Sequence, residues 1–266
     1  MMKKKLSKKL VFITGGSEGI GKALASDCLK AGANVIILSR NPAKLENCIK
    51  ELTPLKTDPS QIFVSRSCDV TDFNSTEETL QSLMNQFGVP DILMNVAGFA
   101  KPDFFDTQDL ADIKDMIDLN YLGSAYTCKI VVSKMIERKS GFILNTSSMC
   151  GFLGLFGYAG YCASKFAVVG FSEALMRELK PFNIHVAVLC PPNTRTPGLL
   201  AENKNKPKEV LATEEKAKVV NPEDISGYTL HSLMKRKFMI IPTLDGRLAY
   251  YLNRISPKIM NLFISR

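Results

Sequence analysis

Short apolar runs alternate with helix-like stretches along most of the chain. The runs are rich in Val, Ile, Leu or Phe, as expected of strands that are buried on both faces. The predicted strands are Leu10–Thr14, Asn34–Leu38, Gln61–Ser65, Ile92–Asn95, Phe142–Thr146, His185–Leu189 and Phe238–Ile241. The predicted helices between them include Ile20–Lys30, Lys44–Glu51, Ser75–Phe87, Tyr121–Arg138 and Tyr158–Lys180. This alternation requires crossover connections and predicts a parallel sheet with helices on both faces.

The length of the chain sets its domain organisation. Its 266 residues are enough for one doubly wound α/β domain of about seven strands, and too few for two such domains. We therefore expect a single domain over residues 1–266. Within it we expect a basic tail at 1–9, a mobile loop at about 193–220, and a C-terminal amphipathic helical extension at about 244–266.

Cysteine and charge usage exclude several classes of protein. The seven cysteines include no C-x-x-C pair and only two histidines accompany them, so neither a disulfide framework nor a metal site is predicted. A reducing, cytoplasmic location is expected. Of the formal net charge of +8, residues 1–9 carry +5 and residues 235–266 carry +6, which leaves a slightly acidic body. Basic ends of this kind fit an anionic membrane surface, and no nucleic-acid partner is predicted.

A glycine-rich turn follows the first predicted strand. Glycines permit a tight turn and a close approach of the backbone to a pyrophosphate, which the N–H groups at a helix N-terminus can bind. The spacing G-x-x-x-G-x-G is a weak signal alone, but its place between the first strand and the first helix predicts a Rossmann-type dinucleotide site. The expected cofactor contacts in this turn are Gly15, Ser17, Glu18, Gly19, Ile20 and Gly21.

The end of the second strand indicates which dinucleotide binds. An acidic residue there usually binds a free ribose 2′-hydroxyl, whereas arginine accommodates a 2′-phosphate. The sequence has Ser39 and Arg40 at this point and no acid. Because a guanidinium can make paired, charge-assisted hydrogen bonds to a phosphate, the predicted cofactor is NADPH. The alternative is that Arg40 is a solvated loop residue.

Tyrosine, lysine and serine form a candidate catalytic group. Tyr161 and Lys165 are four residues apart in a predicted helix and share one face of it. A phenol beside an ammonium suits proton donation to a carbonyl oxygen, because the cation should lower the phenol pKa. Ser148 follows the fifth predicted strand, at the sheet edge where ligands gather, and can hydrogen-bond the same oxygen. Its neighbour Ser147 is the alternative for that role.

These motifs together resemble the short-chain dehydrogenase/reductase family. The residues that carry the resemblance are Thr14 to Gly21, Asp69-Val70, Asn95-Val96-Ala97-Gly98, Asn120, Ser148, Tyr161 and Lys165. The resemblance implies a catalytic set of Asn120, Ser148, Tyr161 and Lys165, in which Asn120 anchors a water that connects Lys165 to solvent. It also implies further cofactor contacts at Asp69, Val70, Asn95, Ala97, Gly98, Tyr161, Lys165, Pro191, Asn193 and Thr194. Val96 departs from the family, where asparagine is common.

Three segments resemble one group within that family, the 3-ketodihydrosphingosine reductases. They are 154–157, 178–183 and 191–198, although Asn193 and Arg195 replace two acids that are common in that group. The resemblance implies NADPH-dependent reduction of 3-ketodihydrosphingosine to dihydrosphingosine in sphingolipid synthesis, on a long-chain lipid ketone. The alternatives are another apolar ketone or alcohol, such as a steroid, retinoid or acyl intermediate, and a regulator that binds the cofactor without catalysis.

The C-terminal segment suggests how a lipid could reach the protein. Apolar residues recur every three or four positions, at Leu244, Leu248, Tyr251, Leu252, Ile255, Ile259, Leu262 and Phe263. Basic residues accompany them, and Ser256-Pro257 predicts a break between two helices. Such a segment can lie on the cytoplasmic face of a membrane, or it can pack on its own domain or on a second subunit. The family resemblance implies a homodimer or homotetramer built through residues 121–138 and 158–180.

Overall fold

Seven parallel strands form one sheet in the computed structural model, which describes residues 6–214 and 217–264, with side chains described as far as residue 260. The strands are β1 (Leu10–Thr14), β2 (Asn34–Ser39), β3 (Phe63–Ser67), β4 (Ile92–Asn95), β5 (Gly141–Thr146), β6 (Ile184–Leu189) and β7 (Met239–Ile240). Their order is β3-β2-β1-β4-β5-β6-β7. The direction of strand succession therefore reverses between β1 and β4, which opens a crevice at their carboxyl ends.

The predicted doubly wound sheet is confirmed, and the largest shift of a strand concerns β3. This strand begins at Phe63 rather than Gln61, because the Gln61 side chain closes the preceding turn. Its amide oxygen accepts hydrogen bonds from the backbone N–H groups of Thr57 and Asp58. Its amide nitrogen donates to the carbonyl oxygen of Ala33 at 2.6 Å. Because Gln61 stabilises the turn, the strand begins two residues later than predicted.

Helices cover both faces of the sheet. They are α1 (Gly19–Lys30), α2 (Pro42–Leu52), α3 (Phe73–Phe87), α4 (Leu110–Ile117), α5 (Gly123–Arg138), α6 (Ala159–Leu179), α7 (Pro197–Asn205), α8 (Lys208–Glu214), α9 (Pro222–Met234), α10 (Leu244–Ile255) and α11 (Pro257–Ile264). The helix expected from Tyr121 instead begins with a π-helical turn, Asp118–Leu122, before α5. Sequence analysis did not predict α4, α7, α8 and α9, although Pro197 and Pro222 stand at the first positions of two of them.

Side chains alternate between two core layers along β1. Val11 and Ile13 pack into the layer that contains α1 and α9, whereas Phe12 packs with residues of α3 and α5 on the opposite face. All three side chains are fully buried. This two-sided burial explains why β1 reads as a continuous apolar run, and it fixes the position of the turn at Gly15.

The C-terminal extension forms two helices separated at Ser256, as the Ser256-Pro257 signal predicts. One face of α10 packs on the domain: Tyr250 contacts Phe152 edge to face at 5.2 Å between ring centres. The amide of Asn253 also donates to the carbonyl oxygen of Phe152 at 2.7 Å. The predicted apolar positions Leu262 and Phe263 lie outside the residues whose side chains are described. None of the helices in the described ranges is long and apolar enough to cross a bilayer.

Candidate active site

A groove lies at the carboxyl ends of β1, β2, β4 and β5. Many of the predicted cofactor contacts line it, namely Gly15, Ser17, Glu18, Gly19, Ile20, Gly21, Ser39, Arg40, Val70, Ala97 and Gly98. Its other lining residues are Leu38, Cys68, Val96, Leu119, Thr146, Thr196, Pro197 and Gly198. The second set was not predicted as cofactor contacts. Several residues of this second set could be predicted from the ends of the strands, because residues at the carboxyl end of a parallel strand face this crevice.

The floor of the groove requires glycine at two positions. Gly15 has φ of +66°, and a Cβ there would lie 2.7 Å from the amide nitrogen of Ala97. A Cβ on Gly21 would lie 2.2 Å from the carbonyl oxygen of Gly15. Neither backbone atom can move without displacing β4 or the turn. The chain therefore brings bare backbone to the start of α1, as a bound pyrophosphate requires.

The rim of the groove at β2 carries hydroxyl groups and positive charge. The hydroxyl of Ser17 donates to that of Ser39 at 3.0 Å. Arg40 is largely exposed, and its Nη1 atom lies 3.7 Å from Oδ2 of Asp69. Lys44, which the sequence reasoning did not select, lies beside this rim and pairs with Glu18 at 2.8 Å. The structure therefore places the carboxylate of Asp69 on Arg40, and Asp69 does not itself line the groove.

Two serines follow β5, and their hydroxyl groups have different partners. Ser147 is buried, and its hydroxyl donates to the carbonyl oxygen of Lys165 at 2.8 Å. Ser148 is half-buried, and its hydroxyl accepts a hydrogen bond from the backbone of Cys150 at 3.1 Å. Ser148 stabilises the ionised phenol of Tyr161 and so acts to lower its pKa, an effect that Ser147 does not have. Ser148 is therefore the serine that lies beside the tyrosine.

The acidity of Tyr161 differs from the sequence expectation. Burial of the phenol raises its pKa well above the ordinary value, and the nearby Cys150 thiol adds to the increase. The sequence reasoning expected Lys165 to lower this pKa. The ammonium of Lys165 lies 5.6 Å from the centre of the ring, but burial of the phenol is the largest influence and sets the direction of the pKa shift. At neutral pH the hydroxyl thus retains its proton.

Ser148, Tyr161 and Lys165 do not themselves line the groove, but Lys165 contacts two residues that do, Thr146 and Gly98. Its ammonium donates to the carbonyl oxygen of Thr146 at 3.0 Å and is buried. A Cβ on Gly98 would lie 3.1 Å from the ammonium nitrogen, so Lys165 reaches the backbone that lines the groove. Burial lowers the pKa of Lys165 to about 8. This lysine is therefore a cation whose charge changes near physiological pH.

The side chains of two predicted site asparagines bond within the protein. Asn120 lies in the π-helical turn before α5, and its amide exchanges hydrogen bonds of 3.0 Å with both backbone groups of Phe99. It also donates to Ser164 at 2.9 Å. Asn95 is buried and bonds to Asn145 at 2.9 Å, away from the groove lining. Both amides therefore hold the strand ends around Lys165 and Gly98 in place.

The segment after β6 is placed differently from the prediction. Pro191, Asn193 and Thr194 were predicted cofactor contacts, but they do not line the groove; Thr194 instead forms a short parallel bridge with Val220. The groove is lined by Thr196, Pro197 and Gly198 at the start of α7. A Cβ on Gly19 would lie 3.0 Å from Cγ2 of Thr196, so this turn faces the glycine-rich loop closely.

The groove fits a dinucleotide. Its glycine floor leaves backbone accessible where any side chain would fill the space, and its β2 rim carries the cations of Arg40 and Lys44, each beside an acidic residue. The hydroxyl oxygen of Thr146, which lines the groove, is buried and has no hydrogen-bond partner among the described residues. Such an orphaned group beside Lys165 suits a ligand that supplies hydroxyl or amide partners.

Comparisons with known proteins identify a family model and relatives that match most of the chain. The family model for short chain dehydrogenase matches residues 9–207. The 3-ketodihydrosphingosine reductase of Mus musculus is 37% identical over 229 residues, which cover 86% of this chain and 69% of the relative. The 3-dehydrosphinganine reductase of Danio rerio is 38% identical over 235 residues, which cover 88% and 71% of the two chains.

Solved structures share the fold. A short chain dehydrogenase/reductase from Burkholderia phymatum, in complex with NAD, superposes with a TM-score of 0.83 at 20% identity and covers 96% of this chain and 95% of its own. This likeness shows the fold, and the family model shows the membership. The family match spans the glycine-rich turn, Ser148, Tyr161 and Lys165. The chain is therefore an oxidoreductase that belongs to the short-chain dehydrogenase family.

Proposed function

We propose that the chain reduces 3-ketodihydrosphingosine to dihydrosphingosine with NADPH, as a step of sphingolipid synthesis. The observation that carries the proposal is that the ammonium of Lys165, 5.6 Å from the centre of the Tyr161 ring, bonds to the carbonyl oxygen of Thr146, which lines a groove with a glycine floor. Relatives with 37% and 38% identity are reductases of this ketone by name. The family implies a nicotinamide cofactor, and Arg40 supports the phosphorylated form.

The reaction divides the work between cofactor and side chains. The bound nicotinamide supplies the hydride that reaches the carbonyl carbon. Tyr161 keeps its proton at neutral pH and gives it to the carbonyl oxygen as negative charge develops there. Ser148 donates a second hydrogen bond to the same oxygen. Lys165 holds positive charge beside the Thr146 carbonyl at the end of β5. The family resemblance implies that Asn120 anchors a water that connects this lysine to solvent.

The lipid substrate is proposed to arrive through the face beside α10. Gly246 of this helix approaches the loop after Ser148, since a Cβ there would lie 3.5 Å from the sulfur of Met149. The outer face of α10 exposes large apolar side chains: Leu244, Leu248, Tyr251 and Ile255 are 77%, 70%, 62% and 82% exposed. Two basic residues lie nearby in the sequence, Arg254 on α10 and Lys258 on α11. An apolar stripe with basic neighbours fits the surface of an anionic membrane.

A homodimer or homotetramer through α5 and α6 is also proposed. Phe166 on α6 is 46% exposed, although it belongs to the helix that carries the catalytic tyrosine. A second groove lies between α3 and α5 and combines apolar with basic side chains, including Phe73, Met84 and Lys129. Sedimentation velocity of the Phe166→Glu variant tests the assembly. We expect its sedimentation coefficient to fall to that of a smaller species.

A substrate panel tests the proposed reaction. The purified chain is assayed for loss of reduced nicotinamide absorbance with 3-ketodihydrosphingosine, a steroid ketone and an acyl ketone, each with NADPH and with NADH. The proposal expects the highest kcat/KM for 3-ketodihydrosphingosine with NADPH. A higher value for a steroid or acyl ketone would instead assign the same chemistry to another apolar substrate. No turnover with any ketone would indicate a protein that binds the cofactor without catalysis.

A further inference from the structure

A buried ionic cluster joins the start of the catalytic helix to α7 and α8. Lys206 lies between these two short helices and its side chain is 0% exposed. Its ammonium is 2.9 Å from a carboxylate oxygen of Glu202 and 2.8 Å from one of Glu214. The two carboxylates, each 15% exposed, come from α7 and from the end of α8.

The same two carboxylates converge on Tyr158, the residue before α6. The hydroxyl of Tyr158 is within hydrogen-bond distance of both Glu202 and Glu214. The ammonium of Lys206 also stands 5.4 Å from the centre of the Tyr158 ring. Without Lys206, the two carboxylates would repel each other in a site with little water. The charge of Lys206 therefore allows both carboxylates to contact the Tyr158 hydroxyl.

Apolar packing brings α8 onto the same turn. Val210 of α8 is fully buried and packs with Tyr158 and Cys150. Gly157 has φ of +76°, and a Cβ there would lie 2.3 Å from Cγ2 of Val210. The backbone before α6 is thus bare where α8 approaches most closely. The ionic cluster and this contact bind α7 and α8 to one point of the chain.

This point is next to the reacting tyrosine. The rings of Tyr158 and Tyr161 are 5.9 Å apart between centres. The first turn of α7 lines the cofactor groove through Thr196, Pro197 and Gly198. The two helices therefore extend from the cofactor groove to the residue that precedes the catalytic helix.

We propose that Lys206 and Tyr158 are positioning residues for the reduction: by joining Glu202 and Glu214, they hold α7 and α8 closed over the substrate side of Tyr161. This inference rests on the proposed reductase function. The closed helices exclude water from the carbonyl and contact the bound ketone. The ionic cluster must open when a long-chain lipid enters or leaves, and its strength sets the affinity for the ketone.

Hydrogen exchange tests the closure without any substrate. The Lys206→Met and Tyr158→Phe variants of the full chain are compared with wild type by mass spectrometry of peptides covering residues 197–205 and 208–214. We expect exchange of these amides to increase about tenfold in both variants, because Lys206→Met removes the cation that Glu202 and Glu214 share, and Tyr158→Phe removes the hydroxyl that both carboxylates contact. Lys204→Met, an exposed lysine of α7, is the matched control and should exchange as wild type does.

Kinetics test whether the closure serves the reaction. In both variants KM for the ketone should rise about tenfold while kcat falls less than threefold, since the lost contact acts on binding. Lys206→Arg, which keeps the charge, should recover part of the affinity. Faster exchange with an unchanged KM would overturn the positioning role. So would a raised KM with unchanged exchange. Faster exchange in a chain that reduces no ketone would retain the closure and reject the reductase function instead.

Discussion

The ammonium of Lys165 bonds to the main-chain carbonyl of Thr146 at 3.0 Å and stands 5.6 Å from the centre of the Tyr161 ring. The two side chains share one helix face, yet the ammonium is directed at the strand end that lines the groove. Burial acts on both residues: it raises the pKa of the phenol and lowers that of the amine. The site therefore combines a phenol that is protonated at neutral pH with an amine whose pKa is about 8.

Replacement of Tyr161 by phenylalanine should abolish reduction. The variant loses the phenolic proton donor proposed for the reaction, and general acid catalysis contributes roughly 10²–10⁴-fold to such a step. Binding of NADPH, measured by fluorescence titration, should change less than about threefold because Tyr161 does not form the glycine floor. Tyr158→Phe is the matched comparison and should keep measurable turnover. Wild-type turnover in the Tyr161 variant would remove this residue from the acid role.

Reduction should weaken as pH rises through about 8. The pKa of Lys165 is lowered to about 8, so its charge is present below that pH and is lost above it. If the reaction requires the cation, kcat/KM declines with a midpoint near this value. The measurement uses a ketone without an ionisable group between pH 6 and 10, so that only the protein titrates. A flat profile up to pH 9.5 would show that the charge of Lys165 is not needed.

The two serines after β5 should respond differently to alanine. Ser148→Ala should lower kcat about tenfold to a hundredfold, because it removes a donor beside the reacting oxygen. Ser147→Ala should leave kcat within about threefold and instead lower the free energy of unfolding by about 1 kcal/mol, since its buried bond to Lys165 is lost. Thermal denaturation and steady-state kinetics of both variants measure the difference. The reverse pattern would assign the substrate contact to Ser147.

Arg40 should determine the choice of cofactor. Arg40→Ala should raise KM for NADPH about tenfold to a hundredfold, because a charge-assisted bond to a phosphate is worth about 1.5–3 kcal/mol. KM for NADH should change less than about threefold. Arg66→Ala, an exposed arginine of β3 that does not line the groove, is the matched control. Equal loss for both cofactors would indicate that Arg40 acts through its contact with Asp69.

Local signals predicted most of the fold and the groove. The seven strands are marked by apolar runs, and the glycine-rich turn marks the groove because close backbone approaches require glycine there. The positions of Tyr161, Lys165 and Ser148 follow from helix spacing and from the end of β5. Each of these features depends on residues that are close together in the sequence, so it can be predicted without knowledge of the tertiary structure.

Features that depend on distant contacts were not predictable in the same way. The cluster of Glu202, Lys206 and Glu214 contacts Tyr158, which lies 44 residues before Glu202 in the sequence. The sequence shows a polar stretch there and predicts a mobile loop, whose movement stays a prediction. The raised pKa of Tyr161 has the same origin, since burial of the ring is produced by several elements. Helix spacing identifies Lys165 as a neighbouring cation, but it does not show that the Tyr161 ring is buried away from water.

The exposed stripe on α10 should bind anionic membranes. The double variant Leu248→Ser/Ile255→Ser replaces two side chains that are 70% and 82% exposed, so folding should be retained. Each is expected to contribute about 1.5–3 kcal/mol when buried in lipid. Co-flotation with phosphatidylserine-containing vesicles should therefore fall at least about tenfold. Leu110→Ser, 77% exposed on α4, is the control and should float as wild type does. If the double variant floats as the wild type does, the apolar stripe on α10 does not contribute to membrane binding, and α10 is rejected as the contact.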